Sequence, residues 1–335
     1  MVELKVVATA SDDQTHEGDA QSVHVHGNVF TCGEDGKVKF TLSKQLVTKP
    51  GDDIESVLIH AGRVLTCSTS GSIKIWDHNN LKLLNEFKAH DYSINDLLVL
   101  GNTLFTCSVD ATIKTWDLET LQLKKTLAPH VDSVRKLATN GTNVFAGDDN
   151  GEVRVYDQEG EFLAMYGVVE EVWDLHAQDD LLYTVRDRGV TITQTKEHKV
   201  IIFWSPCGPP AGETNKFTVT KSLDGRAPLC VVGNHLSFPD TSGLSICVHD
   251  NTFGSYKLRG QLQGHEMIIT ALAGWGPDRL VSSGWDNQVR LWDLSALKGL
   301  ASCALPGCPN GLACSQDGCV FAAGAEGFLC KMKAV

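Results

Sequence analysis

Long apolar runs are missing from this 335-residue chain. Nothing approaches the roughly 18 consecutive apolar residues of a membrane-spanning helix. Met1–Ala8 has neither the basic stretch nor the extended apolar core of a secretory signal. The expectation is an intracellular protein, cytoplasmic rather than nuclear, without membrane insertion. Basic clusters are equally scarce: 29 Lys and Arg stand against 41 Asp and Glu, a formal net charge of -12, and the longest basic cluster is Lys124-Lys125. Neutralising a phosphate backbone needs more clustered cations than this, which excludes a nucleic-acid binder and favours a basic or neutral partner. Proline is sparse, 10 residues beside 31 Gly, a balance that suits many tight turns rather than disorder.

Signatures of chemistry are also absent. No glycine-rich phosphate cradle opens a helix and no nucleophile elbow occurs. The 11 Cys are an odd number. Cys32, Cys67 and Cys107 recur at one place in successive repeats, which reads as a small apolar packing slot in a reducing compartment rather than a disulfide framework. Cys308, Cys314 and Cys319 have irregular spacing and no fourth ligand nearby. Asp148–Glu152 resembles part of a calcium loop but falls on a tight turn and lacks the later bidentate Glu. His24, His26 and His60 alternate along strands and read as structural. No catalytic residue, metal site or cofactor is therefore expected.

Internal repetition dominates what is there. Gly62–Asp77, Gly101–Asp117 and Asp278–Asp293 share one grammar: a short apolar strand, a tight turn, and a strand that alternates apolar and polar residues and ends in Trp-Asp. Weaker copies run over 27–41, 141–157, 181–194, 233–250 and 318–332, which makes eight. Most neighbours lie about 35 to 45 residues apart.

These copies, with Trp76-Asp77, Trp116-Asp117 and Trp292-Asp293, resemble the WD-repeat family over nearly the whole chain. The resemblance implies an all-β fold: one closed β-propeller over 1–335, built of four-stranded blades. Eight blades are favoured, with seven as the alternative. Leu4–Ala8 would close the ring as the outer strand of the last blade. Residues 195–215, including Val200–Trp204, are either an outgrowth between blades or a long loop before a strand. The resemblance also implies a His, Ser/Thr, Asp and Trp hydrogen-bonded network in each blade. It is complete as His90, Thr106, Asp110 and Trp116, and again as His265, Ser282, Asp286 and Trp292. Elsewhere it decays: the first copy keeps His16, Thr31 and Asp35 but has Thr41 for Trp, and the fourth keeps His130 but has Asn150 and Tyr156. Trp76 has Ser70 and Pro50 where Asp and His would stand. Although His90, Asp110 and Thr106 look like a triad, the repeat explains them as structure.

Two slots per repeat are expected to point to the rim of one face. One precedes the turn Asp and holds Glu34, Thr69, Val109, Asp149, Asp187, Thr241, Trp285 and Ala325. The other lies on the first strand and holds Gln21, Glu55, Asn95, Arg135, Trp173, Pro228, Thr270 and Asn310. Trp173 and Trp285 end no blade. Large aromatics and Arg are favoured binding anchors, and Glu34, Glu55, Asp149 and Asp187 add negative potential. The leading expectation is a non-catalytic scaffold or adaptor, a monomeric propeller within a larger complex, that binds a protein or peptide with a basic side chain at the channel mouth. The competing class is a small-ligand receptor or enzyme using channel carboxylates.

Overall fold

Alternation makes the strands. In Glu152–Tyr156 the valines at 153 and 155 are fully buried while Glu152 and Arg154 lie half-buried on the other face, the period-two pattern of a pleated strand. Tight turns end them. At Gly71 φ is +78°, and a Cβ there would sit 2.2 Å from the carbonyl oxygen of His90, so only glycine fits.

The computed structural model describes residues 4–9, 19–26, 28–33, 37–40, 44–47, 54–77, 82–167, 171–185, 189–195, 218–252, 255–314, 319–324 and 329–334. All its regular structure is β. After β1 (Leu4–Thr9) come β2 (Ala20–His26), β3 (Asn28–Gly33), β4 (Lys37–Phe40), β5 (Lys44–Val47), β6 (Ile54–His60), β7 (Arg63–Ser68), β8 (Ser72–Asp77) and β9 (Leu83–Lys88). Next are β10 (Ile94–Leu100), β11 (Thr103–Ser108), β12 (Ile113–Asp117), β13 (Leu123–Thr126), β14 (Val134–Thr139), β15 (Val144–Asp148), β16 (Glu152–Tyr156) and β17 (Phe162–Gly167). The rest are β18 (Asp174–Gln178), β19 (Leu181–Val185), β20 (Gly189–Gln194), β21 (Thr218–Asp224), β22 (Cys230–Val232), β23 (His235–Pro239), β24 (Ile246–Asp250), β25 (Leu258–Leu262), β26 (Ile269–Trp275), β27 (Arg279–Gly284), β28 (Gln288–Asp293), β29 (Lys298–Ala304), β30 (Pro309–Cys314), β31 (Cys319–Gly324) and β32 (Leu329–Ala334).

Among the described residues these strands form four-stranded antiparallel sheets, each pairing strands in chain order except the last, where β1 joins β32 as the outer strand. The expectation for Leu4–Ala8 is met in that pairing. The segment between Gln194 and Thr218 connects β20 to β21 within one sheet; its residues 196–217, with Val200–Trp204, lie outside the described residues.

The chain divides into two compact units. The first holds Met1–Thr69, Ile73–Phe87 and Gly225–Val335; the second holds Ser70–Ser72 and Lys88–Asp224. In each, the cores lie between neighbouring sheets. Phe105, Ile113 and Leu127 of one sheet pack on Val134, Leu137 and Tyr156 of the next in the second unit. In the first unit, Val281, Val289 and Leu291 pack on Val320, Ala322 and Met332. Cys67 and Cys107 are buried and not in disulfides, as the repeat position implied; the Cys32 side chain lies outside the described residues.

Six first strands carry a bulge at their second residue, namely Gln21, Glu55, Asn95, Arg135, Thr270 and Asn310. A bulge turns one extra residue out of the ladder. Short polar side chains there staple one sheet to the next. Asn95 Nδ2 donates to the Val134 carbonyl at 2.9 Å, Asn310 Nδ2 to the Ala20 carbonyl at 3.4 Å, and Thr270 Oγ1 to the Pro309 carbonyl. In each case the acceptor directly precedes the bulge residue of the neighbouring sheet.

Both complete networks are present. Trp116 Nε1 donates to Thr106 Oγ1 at 3.2 Å, Thr106 lies 2.8 Å from His90 Nε2, and His90 Nδ1 lies 2.9 Å from Asp110. The second runs from Trp292 through Ser282 and His265 to Asp286 at 2.7, 2.7 and 2.9 Å. Burial, outweighing the neighbouring Asp, holds both imidazoles below their ordinary pKa. Burial works to raise the Asp110 pKa, but hydrogen bonds from Thr112 and His90 win and leave it lowered. Trp76 keeps only the bond to Thr66, at 3.2 Å. His16, Asp35, Thr41 and Pro50 lie outside the described residues. In the fourth copy Asp148, fully buried, reaches His130 Nδ1 at 3.0 Å from the strand position that Ser108 holds in the third copy. Ala146 stands where Thr106 would, and among the described residues no hydrogen-bond partner reaches the buried His130 Nε2.

Ala146 pairs with Arg154 as Thr106 pairs with Lys114, so a hydroxyl at 146 falls beside His130 Nε2. Ala146→Ser is expected to raise stability by about 1 kcal/mol, and Ala146→Val not to; urea denaturation distinguishes them. The staple predicts a loss of about 1 kcal/mol in Asn95→Ala, with far-UV circular dichroism unchanged. Lowered histidine pKa values mean that the unfolded chain takes up protons first as pH falls below about 6.5. Stability should be fully present above that pH and fall at up to about 1.4 kcal/mol per pH unit for each of His90 and His265. Denaturation midpoints at pH 7.5 and 5.5 check this, and equal values would contradict it.

Candidate functional site

In the second unit, the start of each first strand and the turn after each second strand share one end. Val109 N donates to the Ser93 carbonyl and Asp149 N to the Ser133 carbonyl, at 3.1 and 3.0 Å. The two slots selected from the sequence therefore meet there. Val172 is fully buried, and by alternation its neighbour Trp173 turns out, with 49% of its surface exposed. Arg135 is too long to act as the short staple; its guanidinium stands 5.2 Å above the Trp173 ring and pairs with Asp149. Arg135, Asp149 and Trp173 thus form one cluster, while Asn95 holds the chain at Ser133 and Val134 that leads into it.

Exposed Tyr92 and Val131 lie in the loops leading to β10 and β14, at the same end, with Asp91, Asp132 and Glu171 exposed beside them or ahead of Trp173. One step deeper, Asp96 is engaged by the protein itself. Its carboxylate accepts from Leu97 N and Leu137 N at 3.0 and 3.2 Å and pairs with Lys136 at 3.6 Å. Asp96 in turn holds the Lys136 ammonium above its ordinary pKa. A carboxylate so occupied is a sheet-to-sheet tie. Likewise the His90, Asp110 and Thr106 set has its hydroxyl at a fully buried position, bonded to an indole, and so presents no nucleophile to a substrate.

One grouping has metal-like composition among the described residues: His130, Asp148 and Glu152. Its donors are already committed. Asp148 Oδ1 accepts from Asn150 N and Glu152 N at 3.1 and 2.7 Å, Asp148 Oδ2 faces His130 Nδ1, and Arg154 pairs with Glu152. The calcium-loop resemblance of this stretch thus resolves into a turn whose first Asp anchors a histidine.

In the first unit Trp285 sits on the β27–β28 turn, its N–H on the Ile268 carbonyl at 2.9 Å and its side chain 51% exposed, near exposed Met267. Glu55 is exposed at the β6 bulge. Glu34 and Asp187 lie outside the described residues. Sequence reasoning found the slots but not the bulge that creates them; the recurrence of Asn, Thr and Asn at 95, 270 and 310 was its signal. It also missed Asp148, because the turn position was read as Asn150 alone.

A family model described as "WD domain, G-beta repeat" matches residues 81–117 and 256–293. No curated protein sequence matches the chain significantly. Among solved structures the chain is similar to the computationally designed Ika8 protein, at 18% identity, with 96% of this chain and 98% of that one covered and a TM-score of 0.79. At that identity the likeness concerns the fold alone. Each family match spans one of the two complete His, Ser/Thr, Asp and Trp networks, so at these two places the chain matches the WD repeat.

Proposed function

We propose that this protein is a non-catalytic interaction platform within an intracellular multiprotein complex, and that it takes a peptide or protein segment on the loop-and-turn end of its sheets. WD repeats generally serve protein–protein interaction. The observation that carries the finer reading is Trp173: a half-exposed indole, stacked against the Arg135 guanidinium, in a setting of exposed Tyr92 and Val131 and of exposed Asp91, Asp132 and Glu171. An aromatic anchor fixed in place loses little entropy on binding. The surrounding carboxylates, with a chain charge of -12, favour a partner segment that brings Lys or Arg next to an apolar side chain. Trp285, with Met267, is the corresponding anchor of the first unit. The reading also takes the sheets as blades of one closed, eight-bladed, monomeric propeller; the eight sequence repeats and the pairing of β1 with β32 support it.

Affinity capture from native cells, followed by mass spectrometry, tests the rim. Trp173→Ala and Trp285→Ala are expected to lower recovery of the bound partner about tenfold or more, the cost of removing a central aromatic anchor, while thermal unfolding stays within a few degrees of wild type. Equal recovery by wild type and both variants would overturn the proposal.

A further inference from the structure

Two residues before the Trp or Tyr that closes each of these strands stands a cation, facing Ser, Thr or Ala across the hairpin: Lys74 opposite Thr66, Lys114 opposite Thr106, Arg154 opposite Ala146 and Arg290 opposite Ser282. Three of the four are engaged by the protein. Lys114 Nζ donates to the Ala89 carbonyl at 2.7 Å, Arg154 Nη1 to the carbonyls of Ala128 and Pro129 at 3.0 Å each, and Lys74 pairs with Glu86 at 3.9 Å. Arg290 differs. Its Nε is buried, and among the described residues no acceptor reaches it. A buried guanidinium N–H without a partner is rare enough to need an explanation.

A second difference lies beside it. The residue opposite the strand-ending side chain is large and apolar in other sheets: Leu123 faces Trp116, Phe162 faces Tyr156 and Leu258 faces His249. Opposite Trp292 stands Gly299, where even a Cβ would come to 3.5 Å from the indole. Beside it lies an open surface pocket of about 310 Å³ lined by Gln263, Arg290, Trp292, Gly299 and Leu300–Ser302. Its size is at the lower end for a small-ligand site. Its polar groups are one guanidinium, one amide and one hydroxyl.

We propose that this pocket, walled by the Arg290 guanidinium and opened by Gly299, is a binding site for a single carboxylate. The two terminal nitrogens of the guanidinium supply a planar fork of N–H donors that a carboxylate can meet. Gln263 and Ser302 add neutral donors at the sides, and Trp292 gives a flat apolar wall for the carbons that carry the acid. One cation in a chain of charge -12 matches a monoanionic group better than a phosphate dianion. The carboxylate belongs either to a small free acid or to an Asp or Glu side chain of a partner. This site lies wholly within the first unit and does not depend on the rim reading.

Isothermal titration of the full chain with glutarate, amide-blocked glutamate, amide-blocked glutamine and inorganic phosphate tests it. At least one of the two acids is expected to bind saturably, more tightly than blocked glutamine or phosphate. Tighter glutarate assigns a free acid, and tighter blocked glutamate assigns a partner side chain. Arg290→Gln should weaken the binding about tenfold or more, the scale of a charge-assisted pair. Gly299→Leu, which places there the kind of side chain found in three other sheets, should abolish it with thermal unfolding unchanged. Absence of saturable acid binding, equal binding of blocked glutamine, tighter binding of phosphate, or wild-type affinity in either variant would overturn the proposal.

Discussion

A four-stranded sheet with two apolar faces cannot hide them by itself, and every other feature of this protein answers to that constraint. Val153 and Val155, or Val289 and Leu291, are fully buried only because a neighbouring sheet lies against them. Repetition is the economical solution: each unit offers its neighbour the face it needs covered. The cost falls at the strand ends, where backbone groups must find partners without a continuing ladder. Two recurring devices meet that need. Bulge residues such as Asn95 and Asn310 tie one first strand to the next, and buried imidazoles tie turns to loops.

The imidazole device shows how a repeat tolerates decay. A buried indole N–H, a hydroxyl, an imidazole and a carboxylate form a chain in which each donor has an acceptor. In the fourth copy the turn Asp is lost, yet Asp148 reaches the same His130 nitrogen from a different backbone position. The lost hydroxyl at Ala146 is not replaced, and among the described residues the buried His130 Nε2 it would have faced has no partner. Departures from the repeat are also where new chemistry opens. Arg135 at a bulge stacks on Trp173 instead of stapling. Gly299, in a place that holds a large side chain in three other sheets, borders an open pocket beside Arg290, whose Nε meets no acceptor among the described residues.

Much of this was legible before any coordinates. Alternation within 152–156, the Trp-Asp endings and the copies at near-regular spacing identify hairpins, and hairpins with two apolar faces imply sheet stacking. Both complete networks followed from the WD-repeat resemblance, which assigns His90 and His265 the same role in their copies. The exposure of Trp173 and Trp285 was inferred from their failure to fit the strand-ending role, and both are half-exposed. The bulges could not be read in the same way, since whether one residue slips out of a ladder depends on how two strands meet rather than on the residue itself.

By itself, the sequence determined the local elements and their repetition, because hydrophobic period and turn chemistry act over a few residues. It also determined which two copies could complete a hydrogen-bonded chain. Only the tertiary structure decided which polar atoms are spoken for. It engaged Asp96 with backbone N–H groups and Lys136, engaged Asp148 with backbone N–H groups and His130, placed Arg135 over Trp173, and, among the described residues, gave the Arg290 Nε no acceptor. The reason is that hydrogen-bond satisfaction is a property of three-dimensional neighbours, often some 40 residues apart here, as between Asp96 and Leu137.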